Sequence, residues 1–75
     1  MKNLTYKILL RPEPEGGYTV LVPSLQGCIT YGKTVEESIQ MASEAISLYL
    51  EELQSRNEEI PEEINMLEYN LQITV

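Results

Sequence analysis

Leu4, Tyr6, Ile8 and Leu10 alternate with Thr5, Lys7 and Arg11, the period-two pattern of a half-buried strand, which Pro12 ends. Glu13-Pro14-Glu15-Gly16-Gly17 reads as a turn, and Tyr18 to Val22 is a second run of β-formers stopped by Pro23. Residues 23–27 form another turn, and Cys28 to Tyr31 a third, short strand ending at Gly32. The first half is thus predicted to be an antiparallel meander.

The pattern then changes period. Thr34 followed three residues later by Glu37 fits a capping box, in which the hydroxyl takes the Glu37 amide and the carboxylate reaches back to the Thr34 amide, so a helix is expected from Val35. Val35, Ile39, Ala42, Ile46, Tyr49, Leu50 and Leu53 fall on one side of a helical wheel, with Glu36, Gln40, Glu44, Ser47, Glu51 and Gln54 opposite. Asn57 and Pro61 mark its end, residues 58–68 read as a linker, and Tyr69, Leu71, Ile73 and Val75 alternate as a closing strand.

This order is β-β-β-α-β, an α+β chain with one amphipathic helix on one face of the sheet. A strand that follows a helical crossover can lie parallel to an earlier one, and the free place beside strand 1 gives the sheet order 3-2-1-4, a partial ribonuclease-H-like sheet. One domain over residues 1–75 is expected, without internal repeats.

Charge changes the picture of what such a domain binds. The 75 residues carry five basic and twelve acidic side chains, net −7; residues 1–35 sum to +2 and residues 36–75 to −9. Attraction to a phosphate backbone needs clustered Lys and Arg, so direct nucleic-acid binding is not expected and a basic partner fits better. So small a chain buries a modest core, which favours oligomerisation. No apolar run has the length of a membrane span and the N-terminus lacks a signal peptide's apolar core, so a cytoplasmic location is expected.

Candidate chemistry is sparse. The chain has no Asp and no His, and Cys28 is its sole cysteine. Carboxylates converging on strand ends to hold divalent cations are not in evidence, the hydroxyls lack a base, and Cys28 reads as a small buried apolar residue. Gly27, Gly32, Lys33 and Thr34 match the literal spacing of a phosphate-binding loop, but a proline turn precedes Gly27 and the residues between the glycines are strand-like. No enzymatic activity, metal or cofactor is expected.

The stretch from Gly16 to Leu53, followed by Ile60-Pro61-Glu62-Glu63 and a last strand, resembles the N-terminal domain of HicB-type antitoxins. The resemblance spans residues 4–75 and is most specific at Gly17-Tyr18, Pro23, Gly27-Cys28, Gly32, Thr34, Glu36-Glu37, Ala45 and Leu50. Ser24 and Lys33 depart from it where the family usually has acids, and Gln26 where it usually has proline. The resemblance implies a protein that binds and neutralises a small basic ribonuclease toxin of the HicA type. Many members continue into a DNA-binding module; this chain stops at Val75, so no DNA-binding domain is expected. The alternative is a stand-alone oligomeric domain, not an enzyme, that binds another protein or a small ligand.

Two surfaces follow. Glu36, Glu37 and Glu44 on the helix, with Glu13 and Glu15 in the first turn and Tyr31 before the glycine bend, are the candidate partner contact. The helix acids have no Lys or Arg among them to pair with, although a solvated face is the plainer reading, and Tyr31 fits a core role as well as an interface anchor. Met41 and Leu48, outside the helix's apolar stripe, and Ile73 in the closing strand are candidate contacts of a homo-dimer or larger symmetric oligomer, unless Ile60, Ile64 or Leu67 of the linker folds over the helix pair.

Overall fold

The computed structural model describes residues 3–63 and 67–75. Three strands, β1 (Leu9–Pro12), β2 (Tyr18–Leu21) and β3 (Ile29–Gly32), precede one helix, α1 (Val35–Ser55). Both pairings are antiparallel, and Leu10, Val20 and Thr30 stand side by side across the sheet. The α+β class and the meander agree with the expectation; the ladder of the first strand begins later, at Leu9 rather than Leu4.

The closing strand is where sequence and structure differ. The sheet has the order β1-β2-β3, and residues 69–75 join no ladder. The fourth strand and the order 3-2-1-4 are therefore not found among the described residues. Residues 67–75 are exposed throughout. The radius of gyration is 14.6 Å, against about 11 Å for a compact chain of this length. Residues 61–63, by contrast, are clasped to the chain ahead of β1 and to the loop between β2 and β3. The Tyr6 hydroxyl donates to the Pro61 carbonyl, the Lys7 amide to Glu63 Oε2 at 3.0 Å, and the Ser24 hydroxyl to Glu63 Oε1.

The helix starts as the capping residues dictate. Thr34 is extended, and its hydroxyl accepts from the Glu37 amide at 3.0 Å. The Glu37 carboxylate accepts from the Lys33 amide at 3.3 Å rather than from that of Thr34, so the box closes one residue earlier than predicted. At the other end Asn57 takes φ 56°, and the amides of Asn57 and Glu58 donate to the carbonyls of Gln54 and Leu53, a Schellman closure that satisfies the last carbonyls.

Core and helix meet differently from the wheel. Val20, Val22, Leu25, Cys28, Ala42 and Leu53 are buried, and Ile46, Tyr49 and Leu50 pack half-buried against Val22, Leu25 and Cys28. Val35 and Ile39, assigned to the core stripe, are 44% and 53% exposed, while Ser38 is fully buried. The cause is Gly32. With no side chain there, α1 comes so close to β3 that only a small residue fits opposite, and the Ser38 hydroxyl turns to the Thr34 carbonyl at 2.7 Å. The loop over residues 22–28 closes beneath the helix through Leu25, and the Tyr49 hydroxyl donates to the Gln26 carbonyl at 2.8 Å.

Candidate functional site

Strand parity sorts the surface residues. Gly32 faces Ser38 and hence the helix, so its neighbour Tyr31 points to the opposite face of the sheet. There Tyr31, 47% exposed, donates from its hydroxyl to the Gly16 carbonyl at 2.9 Å. Gly17 makes this approach possible: its φ is 78°, and a β-carbon on it would stand 2.5 Å from the Tyr31 ring. Tyr31 is therefore outside the core, and it lies against the turn that carries Glu13 and Glu15, as the sequence had grouped them.

The acids of that group are not equivalent. Glu13 accepts from the Thr19 hydroxyl and from Arg11 Nε at 3.1 Å, and these donors, the hydroxyl first, hold its carboxyl below the usual carboxylate range. Its charge is engaged by its own sheet. Glu15 is exposed. Glu36, Glu37 and Glu44 are exposed on α1, and the helix contains no Lys or Arg. Glu37, Glu44 and Glu51 recur every seven residues, which sets them in one line at intervals of about 10 Å.

Helix acids and Tyr31 thus lie on opposite sides of the sheet, joined around β3, which is an edge strand with α1 packed chiefly over it. A partner reaching both must straddle that edge. The structure also shows a feature absent from the sequence-predicted set. Leu9, Leu21 and Ile29 are in register on the face turned away from α1, with Leu9 and Ile29 44% and 61% exposed. The signal was present in Leu9-Leu10, Val20-Leu21-Val22 and Cys28-Ile29: adjacent apolar residues in a strand make both of its faces apolar.

The remaining candidates scatter. Met41 is half-buried, Leu48 is 67% exposed beside Glu51, Glu52 and Ser55, and Ile73 is exposed on the C-terminal segment. Leu67 is exposed and Ile60 half-buried, while Ile64 lies outside the described residues. Cys28 is buried, which raises its thiol pKa and fits the core role expected of it. The phosphate-loop spacing is spanned by β3, a strand where that loop requires open backbone. No described helix is long and apolar enough to cross a membrane, and among the described residues no three metal-ligating side chains converge.

A three-stranded antiparallel meander, a glycine bend and one capped, acid-lined helix define a small α+β module. Residues 6–73 match the family model described as HicB_like antitoxin of bacterial toxin-antitoxin system, and the chain belongs to that family. It is 45% identical over 58 residues to a UPF0150 protein of Synechocystis sp., covering 77% of this chain and 73% of the relative. A UPF0150 protein of Thermoplasma acidophilum is 41% identical over 58 residues, 77% of this chain and 84% of the relative. Antitoxin HicB 1 of Photorhabdus laumondii is 39% identical over 61 residues, which is 81% of this chain but 39% of that longer protein.

Proposed function

We propose that this chain is an antitoxin that acts by binding, and that it silences a small basic ribonuclease of the HicA type by covering its RNA-binding surface. The observation that carries the reading is the helix surface: Glu36, Glu37, Glu44, Glu51 and Glu52 are exposed on α1 without one cationic side chain on that helix. An enzyme that acts on RNA presents positive charge to it, and an acidic surface attracts that charge over a distance and complements it on contact. Family membership supports a toxin as the partner. The contact centres on Glu36, Glu37 and Glu44, with Glu15 and Tyr31 reached around the β3 edge; Glu13, already held by Thr19 and Arg11, contributes less. On this reading the chain is not an enzyme, acts in the cytoplasm and does not contact nucleic acid itself.

Co-expression with the protein encoded beside it is the test. The two should co-purify, and the growth inhibition caused by the neighbour should be relieved. A neighbour that neither binds nor is relieved would remove the reading.

A further inference from the structure

Two features of this chain are incomplete alone and complementary to each other. The first is the C-terminal segment. Leu67, Tyr69, Leu71, Ile73 and Val75 are each at least 72% exposed, and Asn70, Gln72 and Thr74 alternate with the last four. That is the pattern of a strand with one apolar face, and it has no sheet to lie on. An exposed apolar arm in water is the kind of surface that finds a partner.

The second is a groove of about 460 Å³ between α1 and the chain ahead of β1. Leu4, Tyr6 and Ile8 form one wall, and Ile39, Ile46 and Leu50 the other. Ile39 remains 53% exposed there. Among the described residues no backbone hydrogen bond reaches residues 3–6, so the outer wall is an unpaired edge. In its own chain the arm fills none of this: no residue of 67–75 lines the groove, and all of them are exposed.

We propose that residues 69–75 of one copy dock as an added strand along the edge at residues 3–6 of a second copy, with Tyr69, Leu71, Ile73 and Val75 turned into its groove, and that the exchange is reciprocal. A second copy is the occupant because it brings arm and groove together, and a two-fold arrangement fills both grooves with both arms at once. Charge agrees. Two chains of net −7 repel, but residues 69–75 contain no Asp, Glu, Lys or Arg, so the contact is made by a segment without charged side chains. The clasp of residues 61–63 by Tyr6, Lys7 and Ser24 fixes where the linker leaves the body. This inference concerns self-association and does not depend on which toxin, if any, is bound.

Sedimentation velocity on the full chain, with site-directed disulfide trapping, tests it. The wild-type chain should be dimeric at micromolar concentration. Leu71→Asp with Ile73→Asp, at positions exposed in the chain itself, should leave the helical far-UV signal unchanged and weaken the dimer on the order of 100-fold, as expected when two buried apolar contacts become charged. Leu48→Lys on the helix should leave the dimer intact. In a Cys28→Ala background, a chain carrying Leu4→Cys mixed with one carrying Ile73→Cys should give a disulfide-linked heterodimer on oxidation. A wild-type monomer at high micromolar concentration overturns the proposal. So does a dimer indifferent to the arm variant, or a crosslink that forms only within one chain carrying both cysteines.

Discussion

Gly32 and Ser38 face each other where α1 meets β3, and a β-carbon built on the glycine would stand 2.5 Å from both the Cα and the amide nitrogen of Ser38. Those are backbone atoms of a helix, and they cannot swing aside as a side-chain tip can. Gly32→Ala must therefore lift α1 from the sheet or shift β3. Overpacking of this kind costs about 1–3 kcal/mol, which in a domain of this size lowers Tm by roughly 4–8 °C per kcal/mol. Ser38→Ala keeps the close approach and loses the bond to the Thr34 carbonyl, so it should cost about 1 kcal/mol. Thermal denaturation of the two variants checks the order.

Thr34 satisfies the Glu37 amide at the exposed start of α1. Thr34→Ala should cost about 1 kcal/mol, and Thr34→Ser, which keeps the oxygen, only a fraction of that. A urea titration in which both variants lose equally would show that the cap is not the reason Thr34 matters.

The Glu13 carboxyl is held below its ordinary pKa of 4.5 by the Thr19 hydroxyl first and Arg11 second. A carboxyl whose folded pKa is depressed adds stability above its unfolded pKa, and that contribution is lost as pH falls through the folded value. Glu13→Gln should therefore lower stability near neutral pH and flatten its decline below about pH 4.5. The change is small because the pair is exposed. Urea midpoints measured from pH 7 down to pH 3 give the slope, and parallel curves for the two proteins would contradict the assignment.

Glu36 and Glu44 are exposed and, unlike Glu37, take no part in the cap. Replacing both by Gln should leave the fold untouched, weaken binding to a basic toxin about 10-fold at low salt, and reduce the dependence of affinity on ionic strength. Equal affinity at low salt would move the contact away from α1.

Leu25 is 1% exposed in the loop between β2 and β3. Leu25→Ala should cost about 2–5 kcal/mol, enough to unfold a chain with so small a core. Reaction of the Cys28 thiol reads this directly. It should be slow in the wild type, where Cys28 is buried, and fast in the variant.

The sequence by itself determined the parts whose causes are local. Pro12 and Pro23 stop strands, Gly16 and Gly17 permit the first turn, and Thr34 starts the helix where its hydroxyl meets the Glu37 amide. The acidity of α1 was legible for the same reason, since no fold can place a cation on a helix that contains none. Tertiary structure decided what depends on how elements approach one another. The face that α1 buries was set by the missing side chain at Gly32, which drew Ser38 inward and left Val35 and Ile39 outside, against their hydrophobicity. It also decided residues 69–75. Their alternation promised a strand, but alternation specifies one apolar face and not the edge that will receive it, and none of the described strands pairs with that segment.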